Sequence, residues 1–256
     1  MQRYGARLLF EGMDEFGPVE VVETADARRL HFGNEVEQSR SFVFAPESLG
    51  FEYFRAMAAG LLFQPVPERI LILGLGGGSM ARWLHDRLPG SRIDAVELRP
   101  LVRDVAYRYF GLPRTHRLTV HVDDATSFVR RIPPGEYDLV LVDVYDHQGM
   151  VESTGEWSFL GDCRRALSAT GVMGINIWRE NLVAFSDVSD QIEAAFEGQS
   201  LYLPLKSTAN TIAFGFASNL PARSQVKRHA AELGELPGVD LRQLVKRLKH
   251  HNPGRI

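Results

Sequence analysis

Acidic side chains follow three strand-like runs of this chain, and carboxylates so placed can bind hydroxyl groups, attract a cation or take up a proton. They are Glu97, Asp123, Asp124, Asp143 and Asp146. Carboxylates that converge on one pocket repel each other, which favours a bound cation and raises individual pKa values. A carboxylate with a raised pKa can accept a proton from an ammonium nucleophile as it attacks. The acids therefore point to chemistry on a cation or an amine.

A glycine-rich turn precedes these acids, between a predicted strand and a predicted helix. The strand, Ile70–Leu73, is continuously apolar, which is typical of a strand buried on both faces of a parallel sheet. The glycines of the turn are Gly74, Gly76, Gly77 and Gly78. Such glycines let the backbone turn tightly and approach a ligand, while the amides of the following helix point at it. Glu97 ends the next strand, where a carboxylate accepts hydrogen bonds from ribose hydroxyls.

The spacing of the glycines indicates which nucleoside would bind. A dinucleotide fingerprint requires G-x-G-x-x-G, but the sixth position counted from Gly74 is Ser79, so the third glycine falls one residue early. This spacing favours a ligand without a pyrophosphate, such as an adenosyl sulfonium compound. A turn that only packs a helix on a sheet is one alternative, and a nicotinamide-dependent enzyme is a more distant one.

Composition limits the class of protein. The chain has 256 residues, 45% of them hydrophobic, and a net charge of -3, which does not suggest a nucleic-acid-binding protein. Its single cysteine, Cys163, excludes an internal disulfide and fits a reducing cytosol. No apolar run reaches membrane-spanning length, and His250-His251 have no acid or cysteine nearby in sequence to complete a metal site. We expect a cytoplasmic protein without a metal, a membrane contact or a nucleic-acid partner.

Strand and helix patterns alternate from Ile70 onward, which predicts a parallel sheet with helices on both faces. Two strand-like segments near the end, Ser200–Leu205 and Thr211–Ala217, predict a closing hairpin. The first 45 residues carry short runs and turn signals typical of antiparallel structure. The predicted fold is α/β: a Rossmann-like parallel sheet of the class I methyltransferase type with a C-terminal antiparallel hairpin, preceded by a small N-terminal β domain.

The chain is predicted to divide near residue 65. The three predicted units are a small β domain with a linking helix (1–65), the Rossmann-like domain (66–220) and a basic helical tail (221–256). Phe42–Phe44 is the expected last strand of the small sheet, and Leu49–Phe63 the linking helix. In the tail, Asp240–His250 is predicted to be amphipathic, with a basic face that is either simply solvated or a contact for an acidic partner.

The carboxyl ends of parallel strands meet at one edge of a sheet, where ligands of such folds bind. At that edge Asp124 can accept hydrogen bonds from an adenine amino group, and the backbone amide of Ala125 can serve a ring nitrogen. Asp143 and Asp146 would face the reactive sulfonium, although a helix N-cap or a turn is an alternative role for Asp143. The side chains expected to line an acceptor pocket, or else to lie in an exposed loop, are Tyr145 and His147.

With these motifs, Ile70–Trp178 resembles the catalytic domain of the spermidine synthase family, the polyamine aminopropyltransferases. The N-terminal β region followed by Tyr53 is similar to that family's small β domain, and the likeness covers most of residues 17–218. The resemblance implies that the amine of putrescine attacks the aminopropyl carbon of decarboxylated S-adenosylmethionine and that methylthioadenosine is released. It also implies a dimer or tetramer formed through the N-terminal region, and of these we expect a homodimer.

The resemblance assigns roles to individual residues. It implies that Asp143 and Asp146 form the family's D-x-x-D element, with Asp143 as the catalytic base. It adds Tyr53 to the residues that meet the substrate. The cofactor-binding residues it implies are Gly74, Gly76, Gly77, Gly78, Glu97, Asp124, Ala125 and Asp143.

Four positions, in three segments, depart from the family pattern. They are Gly77 in place of an aspartate that holds the aminopropyl ammonium, Phe54-Arg55 in place of Gln-Glu after Tyr53, and His147 in place of a proline. The glycine turn with the later Phe110-Gly111 is also similar to spermidine-synthase-like methyltransferases, including those that modify a translation elongation factor. Glycine at position 77 suits their cofactor, S-adenosylmethionine, because the cofactor's carboxylate then meets no acid there.

We therefore expect a spermidine-synthase-like transferase that binds an adenosyl sulfonium cofactor and transfers an aminopropyl group to a polyamine amine. One alternative is an S-adenosylmethionine-dependent methyltransferase that acts on an amine or a protein side chain. Another is a catalytically inactive nucleoside-binding protein. The preference for one of the two cofactors separates the enzymes from each other, and turnover of amines separates both from the inactive protein.

Overall fold

The computed structural model describes residues 1–146, 149–178 and 182–256, with only the backbone described at Asp146 and at 182–184. The N-terminal part is a five-stranded antiparallel sheet in which the strands lie in chain order. Its strands are β1 (Gln2–Arg3), β2 (Ala6–Asp14), β3 (Gly17–Glu23), β4 (Ala27–His31) and β5 (Glu37–Phe42). The small antiparallel sheet predicted from the sequence is therefore present.

The last strand of this sheet differs from the prediction. It is β5, which ends at Phe42, whereas Val43 and Phe44 lie beyond it and are 38% and 87% exposed. The charged side chains of β5 are paired: Arg40 with Glu37 of the same strand at 2.6 Å, and Glu37 with Arg29 of the neighbouring β4 at 3.3 Å. The apolar residues that suggested a strand belong to the following turn.

The linking helix is also shorter than predicted. Instead of one helix over Leu49–Phe63, the chain forms α1 (Glu52–Met57) and then a 3-10 segment, Ala58–Leu62. Gly60 disfavours a regular helix and lies so close to the large sheet that a Cβ added there would be 3.0 Å from Leu139 Cδ1. The tighter segment therefore lies directly on the sheet.

The large sheet has seven strands in the order β13-β14-β12-β9-β6-β7-β8. In chain order these and a short hairpin are β6 (Arg69–Leu73), β7 (Arg92–Glu97), β8 (Leu118–Val122), β9 (Tyr137–Val142), β10 (Tyr145–Asp146), β11 (Gly149–Met150), β12 (Leu167–Trp178), β13 (Ser200–Pro204) and β14 (Asn210–Phe216). Strand β14 is antiparallel to both of its neighbours, and the pairs from β12 to β8 are parallel. The predicted Rossmann-like sheet with a terminal antiparallel hairpin is confirmed.

Helices cover both faces of the large sheet, as the alternating pattern predicted. They are α2 (Ser79–Arg87), α3 (Pro100–Tyr109), α4 (Ala125–Arg130), α5 (Trp157–Ala166), α6 (Leu182–Ala195), α7 (Arg223–Leu233) and α8 (Leu241–His251). In β6, Ile70 and Ile72 pack in one core with Leu61, whereas Leu71 and Leu73 pack in a second core on the opposite face. Burial on both faces explains why this strand is continuously apolar.

The small sheet is attached to the large one mainly through α3. Val19 and Val21 of β3 form a third apolar cluster with Val102 and Val105 of α3. At the N-terminal end of α3, the buried Arg99 pairs with Asp14 of β2 at 2.7 Å. The division of the chain into three units stays a prediction.

The C-terminal tail forms α7, which the sequence analysis did not identify, and the predicted amphipathic helix α8. Leu244 and Leu248 of α8 are buried, and exposed basic side chains on α7 and α8 line an open groove between the two helices. Beyond α8, the side chain of Asn252 accepts a hydrogen bond from the N–H of Tyr202 in β13 and donates one to its carbonyl, both at 2.8 Å. An acidic partner for the basic groove stays a prediction.

Within the described ranges, no helix is long and apolar enough to cross a membrane.

Candidate active site

A tight glycine turn joins β6 to α2. Gly74 has a φ of +93°, which L side chains rarely adopt, and a Cβ added to it would lie 2.1 Å from the carbonyl oxygen of Asp143. Gly78 is the N-cap of α2 with a φ of +76°, and a Cβ there would lie 2.6 Å from Leu112 Cδ1. Both positions therefore require glycine, and the turn lies against the strand end that carries Asp143.

Glu97, at the end of β7, faces this turn with a buried side chain. Its Oε2 accepts hydrogen bonds from the N–H groups of Leu75 and Gly76, both at 3.2 Å, and its Oε1 accepts one from Arg99 N–H at 3.0 Å. Burial raises the pKa of the Glu97 carboxyl, and these hydrogen bonds oppose the rise. A carboxylate offers about four acceptor positions, so the group can still accept a bond from a ribose hydroxyl.

The small sheet contributes to the same turn through β5. Ser39 is 1% exposed and lies against Gly77, where an added Cβ would be 2.6 Å from Ser39 Oγ and 3.0 Å from Phe110 Cδ1. Ser79 Oγ, at the start of α2, donates to the carbonyl of Arg40 at 3.1 Å. Strand β5 thus fills the space that a side chain at position 77 would need, a contact that the sequence did not reveal.

The two aspartates after β8 have protein partners. Asp123 pairs with Arg131 and accepts a hydrogen bond from Asp124 N–H at 2.9 Å. Asp124 is exposed and is the N-cap of α4, accepting a hydrogen bond from Ser127 N–H at 2.7 Å. Ala125 is the first residue of α4, so its N–H has no partner within the helix. The adenine-binding role of Asp124 and of the Ala125 amide stays a prediction.

Two apolar side chains at these strand ends are exposed, although their residue types are typical of a core. Leu98 directly follows Glu97 and is 45% exposed, and Val122, paired with Glu97 across β7 and β8, is 38% exposed. Apolar groups beside a carboxylate suit the flat face of an adenine ring. Sequence reasoning missed both because the pattern of a strand does not show which apolar residue stays uncovered at its end.

Asp143, at the end of β9, is a carboxylate whose pKa is strongly raised. Its Oδ1 accepts a hydrogen bond from Asn176 Nδ2 at 2.9 Å, and the hydroxyl of Tyr53 on α1 also hydrogen-bonds to the carboxylate. Burial raises the pKa of Asp143 to about 6, and these two hydrogen bonds oppose the rise. Burial and the charge of Asp143 raise the pKa of Tyr53 well above its usual value, so Tyr53 stays protonated and donates.

Two asparagines that the sequence analysis did not select belong to the same cluster. Asn210 Nδ2 donates to Asn176 Oδ1 at 2.9 Å, and the hydroxyl of Tyr145 donates to the Asn176 carbonyl at 3.1 Å. Trp178, 37% exposed, has its ring centroid 6.5 Å from that of Tyr145. A buried asparagine in an otherwise apolar strand needs hydrogen-bond partners, so Asn176 carried a signal that sequence reasoning overlooked.

The structure thus brings three of the predicted residues together, namely Asp143, Tyr53 and Tyr145. At Asp146 only the backbone is described, and it pairs with Gly149 in the β10–β11 hairpin. His147 lies outside the described residues. The β10–β11 hairpin follows Asp143, so this residue does not cap a helix.

These groups fit an adenosyl ligand. The glycine turn approaches without side chains, Glu97 retains acceptor capacity, and Leu98 offers an exposed apolar surface at the same edge. The carboxylate of Asp143, with its raised pKa, lies beside the turn, where the reactive end of such a ligand would be. The strand order defines a class I methyltransferase-type fold, and the groups at this edge of its sheet fit a nucleoside-dependent transferase.

Comparison with known proteins identifies the family to which the chain belongs. Residues 52–218 match the family model described as the spermine/spermidine synthase domain, which is more than half of the chain. The chain belongs to the spermine/spermidine synthase family, and the resemblance drawn from the motifs is confirmed.

Two bacterial relatives extend this likeness to nearly the whole chain. The chain is 31% identical over 257 residues to a polyamine aminopropyltransferase of Neisseria meningitidis serogroup A, covering 99% of this chain and 97% of that protein. It is 34% identical over 253 residues to a polyamine aminopropyltransferase of Chromobacterium violaceum, covering 98% of this chain and 95% of that protein.

Two further likenesses are more limited. The human eEF1A lysine and N-terminal methyltransferase is 31% identical over 163 residues, which is 57% of this chain and 23% of that protein. A crystal structure of spermidine synthase in complex with the transition state analogue AdoDATO superimposes with a TM-score of 0.75 and 15% identity, covering 94% of this chain and 84% of that one. At that identity the superposition supports the fold alone.

Glu97→Gln should weaken nucleoside binding and destabilise the fold. Glutamine has one acceptor oxygen for the N–H groups that now share a carboxylate, and its NH2 group would face at least one donor. We expect the affinity for methylthioadenosine to fall at least tenfold, about 1.4 kcal/mol, and the free energy of unfolding to fall by about 1–3 kcal/mol.

Calorimetric titration and thermal unfolding would measure the two effects. Glu68→Gln replaces an exposed glutamate and is the control, with no expected change in either quantity. Unchanged affinity in Glu97→Gln would show that Glu97 does not hold the nucleoside.

Proposed function

We propose that this protein is a polyamine aminopropyltransferase that transfers an aminopropyl group from decarboxylated S-adenosylmethionine to an amine of a polyamine. The observation that carries the proposal is the carboxylate of Asp143, which lies beside the glycine turn with a pKa raised to about 6. Membership of the spermine/spermidine synthase family and the likeness to two named aminopropyltransferases support this type of transfer.

The amine must lose a proton to act as a nucleophile, and Asp143 is placed to accept it. An ammonium has no free electron pair, so deprotonation accompanies or precedes its attack. With a pKa of about 6, Asp143 is ionised at neutral pH and is a stronger base than an ordinary aspartate. Tyr53 and Asn176 hold the carboxylate in one orientation from two different elements.

The remaining site residues would position the two substrates. The glycine turn, Glu97, Asp124 and the amide of Ala125 would hold the adenosine part. The co-substrate itself supplies an aminopropyl carbon activated by its sulfonium. Asp146 would assist Asp143, and the aromatic side chains Tyr53 and Tyr145, with His147, would contact the acceptor.

Methyl transfer from S-adenosylmethionine is the second candidate, and one contact favours it. Ser39 fills the space beside Gly77, so a neutral hydroxyl stands where the family has an acid. A site without that acid suits a cofactor that carries a carboxylate, because it removes a like-charge contact. The partial likeness to the human eEF1A methyltransferase points in the same direction.

Calorimetric titration with decarboxylated S-adenosylmethionine and with S-adenosylmethionine separates these candidates. Aminopropyl transfer requires tighter binding of the decarboxylated compound, by tenfold or about 1.4 kcal/mol, and turnover with putrescine or spermidine. The reverse preference would support methyl transfer. Binding of methylthioadenosine without turnover of either cofactor would support an inactive nucleoside-binding protein.

The pH dependence of the reaction should report the base. Protonated Asp143 cannot accept a proton, so kcat/KM should fall as the pH drops through about 6 and decrease about tenfold per pH unit below that. Measuring kcat/KM with acceptors that differ in amine pKa would separate this acidic limb of the pH profile from ionisation of the substrate. A limb near pH 3.9, roughly the value of a solvated aspartate, would contradict the assignment.

We propose a homodimer in the cytoplasm with a small amine or polyamine substrate and without a nucleic-acid or membrane partner. Light scattering would test the dimer, and cell fractionation the location.

A further inference from the structure

A chain of side-chain amides leads from β14 to the carboxylate of Asp143. Asn176 is 3% exposed and lies between Ile175 and Ile177, which pack in the core on one face of the sheet. Because side chains alternate across a strand, Asn176 projects to the other face, the one that carries α1. There its Nδ2 donates to Asp143 Oδ1 at 2.9 Å, and its Oδ1 accepts from Asn210 Nδ2 at 2.9 Å.

Tyr145 sets the direction of these hydrogen bonds. Its hydroxyl donates to the carbonyl of Asn176 at 3.1 Å, so its proton is committed. The side chain of Asn210 also hydrogen-bonds to the Tyr145 hydroxyl. Because the hydroxyl proton is already used in the bond to Asn176, Asn210 is the donor in this second bond. Only the NH2 group of Asn210 can donate, so this group faces both Tyr145 and Asn176 Oδ1. The amide of Asn176 is consequently held by a donor at its oxygen end and by an acceptor, Asp143, at its nitrogen end.

We propose that Asn176 is a positioning residue for the base, a neutral hydrogen-bond donor that Asn210 keeps in the orientation that stabilises ionised Asp143. A donor to a carboxylate favours the charged form, whereas an acceptor in the same place favours the protonated form. Asparagine can present either end, and the contact with Asn210 selects the nitrogen. The catalytic meaning rests on the proposed function, but the effect of Asn176 on the ionisation of Asp143 does not.

The other titratable groups that face Asp143 do not change their charge at physiological pH. Among the described residues they are the phenols of Tyr53, on α1, and Tyr145, on β10. Burial and the charge of Asp143 raise the pKa of both phenols, so both stay neutral at physiological pH. The neighbouring strand β6 ends at Leu73 and is followed by Gly74, and neither residue carries a charge. The Tyr53 hydroxyl can rotate either to donate or to accept, whereas the end of the Asn176 amide that faces Asp143 is set by its hydrogen bond with Asn210.

The test is a 13C NMR titration of the Asp143 carboxyl, assigned by comparison with Asp143→Asn. Asn176→Leu removes the donor and should raise the pKa of Asp143 by about one unit, with an equal shift of the acidic limb of kcat/KM. Asn176→Gln keeps a donor and should return the pKa at least halfway to the wild-type value. A purely structural role would lower the melting temperature and the rate without moving the titration.

Asn210→Asp tests the role of the second amide. A carboxylate at position 210 can only accept, so it competes for the nitrogen of Asn176 and would turn the amide oxygen toward Asp143. We expect a larger rise in the pKa of Asp143 than in Asn176→Leu. The negative charge alone would also raise this pKa, so the same change is made in the Asn176→Leu background. There the rise should be smaller by at least about half a unit, because no amide remains to turn.

Gln64→Glu is the matched control, since Gln64 is a side-chain amide that bonds to Thr170 and not to the site. It should leave the titration unchanged. An unchanged pKa in Asn176→Leu, or equal effects of Asn210→Asp in both backgrounds, would overturn the proposal. Absence of aminopropyl transfer by the wild-type protein would defeat the proposed function instead, and the NMR titration would still stand.

Discussion

Asp143→Asn should lower kcat by a factor of about 100 to 10,000 while the fold stays intact. Asparagine has nearly the same shape, and its oxygen can still accept a hydrogen bond from Asn176 or Tyr53. It cannot take a proton from an ammonium. Burial raises the pKa of the wild-type carboxyl above its unfolded value, so ionised Asp143 disfavours the folded state at neutral pH. The melting temperature of the variant should therefore equal or exceed that of the wild type.

Steady-state kinetics and thermal unfolding of the same preparation would check both statements. Asp104→Asn is the control, because Asp104 is an exposed carboxylate on α3 paired with Arg103. It should leave kcat unchanged. If Asp143→Asn kept more than about a tenth of the wild-type kcat, Asp143 would not be the base.

Gly74→Ala should damage both stability and activity. The residue has a φ of +93°, and an added Cβ would lie 2.1 Å from the carbonyl oxygen of Asp143. We expect a loss of about 2–5 kcal/mol in the free energy of unfolding from backbone strain and steric overlap, or roughly 5–15 °C in melting temperature. Displacing the strand end that carries the base by about 1 Å should also cost on the order of 100-fold in kcat.

The variant Gly135→Ala separates the energetic cost of backbone strain from that of steric overlap. Gly135 has a φ of +76°, but a Cβ added there meets nothing within 4 Å. The control should therefore lose only about 1–2 kcal/mol, the cost of the backbone conformation, and keep its kcat. Equal losses in the two variants would mean that the contact between Gly74 and Asp143 has no energetic role.

The central strands could be predicted because burial on both faces leaves a clear pattern. The strand predicted at Ile70–Leu73 is present as β6 and begins only one residue earlier, at Arg69. Strand β5 could not be predicted in the same way, since its charged side chains pair with one another at the surface of a small sheet. A hydrophobic pattern identifies a strand only where apolar side chains are what it buries.

The residues of the site also fall into those that could be predicted from the sequence and those that could not. Asp143, Glu97 and the glycine turn each follow a strand directly, so their shared position at one edge of the sheet follows from topology alone. Asn176 and Asn210 are 34 residues apart and meet because Trp178 of β12 pairs with Asn210 of β14. The register of two strands depends on turn geometry and on which of their faces is buried, and these become visible only in the assembled sheet, so this contact could not be predicted. The same holds for Ser39, which reaches the glycine turn from another sheet.

The side chain of Asn252 bears on how the large sheet ends. Strand β13 is the outermost strand, and the outward N–H and carbonyl of Tyr202 bond to the amide of Asn252. An uncovered outer strand offers such groups as a template for a strand of another molecule, which leads to aggregation. At this point the side-chain amide of Asn252 makes the hydrogen bonds that the backbone of a next strand would make. At this edge of the sheet, the docked tail therefore occupies groups that a strand of another molecule would need for pairing.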